Sequence, residues 1–215
     1  MRATLRDAME RAEAAIRRAY GDVHSHPRIN ACISEACYEA FGGERGSIAK
    51  IYGHRMLLSP RGLNWHFIAH EWSHDEIHTR LSLRARWRLP QWFDEGVAVA
   101  ISEAPEHSEA HWQWLVASNI PRPTTEELHT LVSLQQWFDA LHRYSGSKSA
   151  ERNAEREPEY RPVYSAAGHE LRGWLATVGP AGLMALIERM NGGEDFESAY
   201  RVGSTAIDAS TMQGA

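Results

Sequence analysis

Residues 70 to 74 read His-Glu-Trp-Ser-His, two imidazoles four positions apart with a carboxylate beside the first. On a helix such positions differ by about 40° in azimuth and share one face, with Cβ atoms roughly 5–6 Å apart. Two side chains so placed can each offer a ring nitrogen to one metal ion at about 2.0–2.1 Å, the distance zinc takes. Glu71 falls to the side of that ion, within reach of a water but not as a ligand.

Twelve histidines make chance pairs common, so the neighbouring pairs serve as controls. His66, His70, His74 and His78 follow one another at four-residue steps. Only the middle pair carries glutamate at its second position; HFIAH has phenylalanine there and HDEIH aspartate. His66 and His78 therefore read as solvated or supporting histidines. A catalytic zinc takes three protein ligands and keeps a fourth position open, so one ligand must come from outside this helix. The segment WFDEGVA, residues 92 to 98, offers Glu95. Twenty residues lie between His74 and Glu95, enough to end one helix, turn and begin another. A glutamate among aromatic and small apolar residues is costly to bury unpaired, a cost that metal ligation or a salt bridge would answer. Gly96, with Ala98 and Ala100, would let another backbone approach closely.

The elements that must position these residues follow from patterning. The first twenty residues form an amphipathic helix with Leu5, Met9, Ala12 and Ile16 on one stripe. PRINACISEA, residues 27 to 36, holds a short strand. Residues 46 to 53 and 54 to 59 read as two more, parted near Gly53. Ser59-Pro60 has the form of a helix start, predicting a helix to about Leu81, and Leu89-Pro90 opens a second over QWFDEGVAVAISE. The polar stretch 145 to 162 is expected to be a mobile loop. Helical segments follow near 164–177, 180–191 and 194–202, punctuated by Gly179-Pro180 and Gly192-Gly193. The fold class is α+β, one domain over 1–215 with sub-lobes of about 1–81 and 82–215.

Composition narrows the setting. Hydrophobic residues at 43% and charged residues at 24% exclude general disorder, and a net charge of −5 spread along the chain gives no nucleic-acid footprint. No window approaches the roughly 18 apolar residues of a membrane span. The charged start has no signal-peptide apolar region, which predicts a cytoplasmic protein. Cys32 and Cys37 are too few for a disulfide framework and are expected to be free buried thiols.

The motif residues His70, Glu71 and His74 with Pro90, Trp92, Phe93, Glu95, Gly96 and Ala98 resemble the gluzincins, the thermolysin-like and peptidase MA-like zinc peptidases. With the tail YSAAGHELRGWLATVGPAGLMALIERMNGGEDFESAY, the likeness covers roughly residues 30 to 203. Other zinc classes fit worse. A metzincin would need Gly and His where Ile77 and Arg80 stand, and a deformylase a cysteine ligand in an EGCxS setting. No GxMEN signature of the aminopeptidase branch is found, which points to endopeptidase action. The resemblance implies a zincin-like fold, with a small β-containing lobe carrying the HExxH helix, a mainly helical C-terminal lobe, and an active-site cleft between them. It implies Zn²⁺ held by His70, His74 and Glu95, with Glu71 as the base that activates water. It also implies a tyrosine or histidine that stabilises the oxyanion: Tyr164 first, then His169 and Tyr160. The partner is a peptide or protein substrate, bound in the family along an edge strand before the metal helix, here residues 54 to 59. A zinc-binding regulatory or protein-interaction module that hydrolyses nothing would use the same ligands; metal content without cleavage distinguishes it.

Overall fold

A computed structural model describes residues 2–44, 47–145 and 161–201. The chain sorts into two compact units, Met1–Arg88 with Thr177–Ala215, and Leu89–Ala176. Helices dominate and one three-stranded sheet accompanies them, an α+β composition. No helix among the described residues is long and apolar enough to cross a membrane.

In the first unit, α1 (Arg2–Tyr20) buries Ala8, Ala12, Ala15, Ile16 and Tyr20 along one stripe and ends at Gly21, whose φ of 86° no side chain has to tolerate. The strands are β1 (Arg28–Ala31), β2 (Ala49–Tyr52) and β3 (Arg55–Leu58), with α2 (Glu35–Ala40) after β1. The sheet order is β1-β3-β2; β3 pairs antiparallel with β2 and parallel with β1 through Ile29↔Met56 and Asn30↔Leu57. The 54 to 59 strand expected at the edge is therefore central. Both its flanks are hydrogen-bonded, and it has no free edge for an extended substrate.

The thiols expected to be free are also paired. Ser34 caps α2, its Oγ accepting from Cys37 N, and the turn of this helix brings Cys37 back beside Cys32. Their Cα atoms lie 5.5 Å apart and the sulfurs are joined in a disulfide, beside buried Tyr38 and Leu57.

Ser59-Pro60 opens only a 3₁₀ turn, Pro60–Gly62. The metal-motif helix α3 (Trp65–Arg80) starts after Asn64 instead, because Asn64 Oδ1 accepts from His66 N and Phe67 N while Ser59 makes no side-chain cap bond. Eight residues of α3 are buried, and of the polar ones Glu76 is answered by the segment between α1 and β1. Fully buried Glu76 accepts from His24 N at 2.9 Å, Ser25 N and Ser25 Oγ at 2.8 Å, and Arg80 Nε at 2.6 Å. Trp72 Nε1 donates to Ser25 O, and Arg80 reaches Asp22 as well. α4 (Leu83–Arg86) follows, and Asn191 closes the end of α3 by donating to Arg80 O and accepting from Ser82 N.

The second unit contains α5 (Gln91–Ser102), α6 (Glu109–Ala117), α7 (Thr125–His129), α8 (Leu134–Ser145) and residues 162–176 of α9 (Pro162–Asn191). α5 begins after Pro90 as the sequence predicts, and its first N–H groups donate to Val132 O and Leu131 O. Its core includes Trp92, Phe93, Val97, Leu115, Trp137 and Leu171. Phe93 meets Trp174 edge-on at 5.5 Å. α9 is interrupted at Gly179 (φ 65°), next to Pro180, as the Gly-Pro pair predicts, and residues 196–201 are helical again. The loop expected over 145 to 162 falls, for residues 146–160, outside the described residues.

Candidate metal centre

One helical turn separates His70 from His74 on α3, and their Nε2 atoms lie 3.3 Å apart with the rings nearly perpendicular. Two nitrogens each about 2.05 Å from one tetrahedral ion are about 3.3–3.4 Å apart, so this spacing suits a shared ion without side-chain movement. One ligand atom each of His70, His74 and Glu95 fall within 4.8 Å of one another. The donor set is two imidazole nitrogens and a carboxylate oxygen, the set that borderline-soft zinc accepts. His70 is half-buried, while His74 and Glu95 are 8% and 9% exposed, so water has limited access to two of the three groups.

Glu95 is held by its own helix. Gln91, one turn earlier on α5, donates from Nε2 to Glu95 Oε1 at 3.0 Å. Gly96 is required by close approach: a Cβ there would meet Leu171 Cδ2 at 2.8 Å and Ala167 O at 2.9 Å. The expectation that Gly96 admits a neighbouring backbone is met, and α9 is that neighbour.

Glu71 is half-buried on α3 and stays outside the ligand group. Its charge reaches Tyr38, whose hydroxyl pKa is raised chiefly by burial and additionally by Glu71. Tyr38 Oη is 2.7 Å from Ser47 Oγ. Asp75 is a buried carboxylate whose Oδ1 lies 2.7 Å from His54 Nδ1; burial raises its pKa, and His54 opposes the shift. The His66 ring lies tilted against Trp65 at 4.1 Å, and the His78 ring is 6.4 Å from that of His74.

Of the oxyanion candidates, Tyr164 sits in the first turn of α9, half-buried, stacked on His107 at 5.2 Å and edge-on to Trp137 at 5.2 Å. His169 is committed elsewhere: its Nδ1 lies 2.9 Å from Glu109 Oε2 and its ring stacks on Trp112 at 4.8 Å. The Glu109 carboxyl is partly desolvated, which raises its pKa, but the hydrogen bonds from His169 and Gln113 and the nearby Arg172 charge together leave it lowered. Tyr160 lies outside the described residues.

Sequence reasoning did not find Gln91, although its four-residue spacing from Glu95 on a predicted helix was a usable signal. It also did not find the Glu76–Ser25–Arg80 set: the four-residue spacing of Glu76 and Arg80 was a usable signal, but Ser25 lies 51 residues before Glu76 and its sequence context carries no mark of pairing. Comparison with protein-family models, with curated proteins and with solved structures finds no match to this chain.

Proposed function

We propose that this chain is a zinc-dependent peptidase of the gluzincin type, an endopeptidase on a zincin-like fold. The observation that carries the reading is the 3.3 Å spacing of His70 and His74 Nε2, with a Glu95 oxygen within 4.8 Å of both ligand atoms. His70, His74 and Glu95 would hold the ion. When bound, zinc would polarise a peptide carbonyl and lower the pKa of a bound water toward about 7. Glu71 would then take the proton of the attacking water on a carboxylate oxygen and deliver it to the leaving amine nitrogen. Its place one residue after a proposed ligand and outside that group suits proton transfer rather than coordination. Tyr164 is the proposed donor to the developing oxyanion.

The test is Glu71→Gln assayed on a quenched peptide library after zinc loading. The amide nearly keeps the shape of the carboxylate but accepts no proton, so hydrolysis should fall about 10²–10⁴-fold or more with zinc content unchanged. Tyr164→Phe should lose less, about 10²-fold. Wild-type turnover by zinc-loaded Glu71→Gln would overturn the mechanism. Stoichiometric zinc in the wild-type protein with no cleavage of any peptide would replace it with a silent zinc module.

A further inference from the structure

The second unit contains a cavity of about 520 Å³ between α6, residues 119–125 and α9, a volume typical of small-ligand sites. Asn119 takes φ 53° after α6 and turns the chain, so that residues 120–123 return as one wall. Trp112 lines the cavity with His169 stacked on it and the Arg122 guanidinium 5.3 Å from its ring centroid.

Arg122 is the informative residue. Its Nη1 donates to Ile120 O at 2.8 Å and more weakly to Leu115 O at 3.4 Å, which fixes the plane of the half-buried guanidinium. Among the described residues no carboxylate pairs with it, and Nε and Nη2 donate to none of them. An arginine oriented by carbonyls and an aromatic face, with two donors left in a concave site, matches the fork geometry of a carboxylate. Beside it the wall is apolar: Ile120, Pro123 and Leu128. Glu170 is the acid of the lining, and its Oε1 lies 3.4 Å from His129 Nε2. Glu170 and Thr125 add oxygen acceptors suited to an amide N–H.

We infer that this cavity binds the C-terminal residue of a peptide, with the α-carboxylate on Nε and Nη2 of Arg122, the apolar side chain against Ile120, Pro123 and Leu128, and the last amide N–H on the Glu170 and Thr125 oxygens. Such a site would retain a peptide by its end, and it stands independently of the metal centre.

Calorimetric titration of the full chain tests it, in the presence of a chelator so that no metal binds the carboxylate. The probes are N-acetyl-L-leucine, its carboxamide, and 4-methylpentanoate, which keeps the acid and apolar chain but lacks the amide. N-acetyl-L-leucine is expected to bind in the millimolar range, with the carboxamide and the simple acid each roughly tenfold weaker or more. Arg122→Gln should lose at least tenfold for N-acetyl-L-leucine, and Arg122→Lys should recover part of it, both with unchanged circular dichroism. If Arg122→Gln does not fold, Leu128→Phe, which fills the apolar wall, is expected to show the same loss. Equal affinity for acid and carboxamide, or no binding of N-acetyl-L-leucine by folded protein, overturns the site. Equal affinity for 4-methylpentanoate overturns its assignment to a peptide end. None of these outcomes bears on whether zinc binds at His70 and His74.

Discussion

At the residue scale, the four histidines of α3 share a four-residue spacing but differ in surroundings. His74 is buried with its Nε2 beside that of His70, whereas the ring of His78 is 6.4 Å from that of His74 and His66 leans on Trp65. Glu95→Ala should therefore lower zinc affinity by more than about 100-fold, because it removes a proposed direct ligand. Gln91→Ala should cost roughly tenfold, since Gln91 only orients the Glu95 carboxylate. His78→Ala should bind zinc like the wild type. Competition against a chromogenic chelator reads all three; loss of zinc in His78→Ala with retention in Glu95→Ala would refute the ligand set.

At the scale of elements, the contact of α5 with α9 sets a second expectation. Alanine is the better helix former by about 1 kcal/mol, so Gly96→Ala would stabilise an isolated α5. Here the new methyl would meet Ala167 O at 2.9 Å, and a backbone carbonyl in a helix does not yield. Overpacking should win, with a net loss of about 1–2 kcal/mol in urea unfolding; a stabilised variant would show a looser contact. The Cys32–Cys37 link closes a short loop, for which the chain-entropy argument gives about 2 kcal/mol. Replacing both cysteines with serine should lose that amount, and thiol titration of the unfolded, unreduced protein should find no free thiol.

On the scale of the whole molecule, the first unit is assembled from residues at both ends of the described chain. Glu76 and Arg80 tie α3 to residues 22–25, and Asn191 ties the end of α3 to the last turn of α9. Glu76→Ala should destabilise the protein by about 2–4 kcal/mol, because it leaves buried Arg80 with Asp22 as its remaining carboxylate and the Ser25 and His24 donors without their acceptor. Asp22 supplies a pH signature. Its hydrogen bond from Arg80 lowers its pKa below 3.8, so the unfolded state binds the proton more readily. Its stabilising effect is present above about pH 4 and disappears as pH falls through the folded-state pKa. The melting temperature of Asp22→Asn should thus lie below wild type at pH 6 and approach it as the pH falls below 3.8. A constant offset at all pH values would remove the ion pair from the account.

What the sequence determined by itself is local: the helical face shared by His70 and His74, the helix start after Pro90, the hairpin turn at Gly53, and the break at Gly179-Pro180. Each rests on hydrogen bonds or backbone dihedrals spanning a few residues, so neighbours in the chain carry the signal. Tertiary structure decided what depends on distant partners. Asn64 rather than Ser59 starts α3, because the cap that forms depends on which oxygen meets the first free N–H groups. β3 is central because residues 28–31 pair along its second flank, and no feature of residues 54 to 59 announces that partner. The same holds for the disulfide, for the return of residues 177–201 to the first unit, and for the cavity around Arg122. Those features follow from packing free energies summed over residues far apart in sequence, which a periodicity or a spacing does not encode.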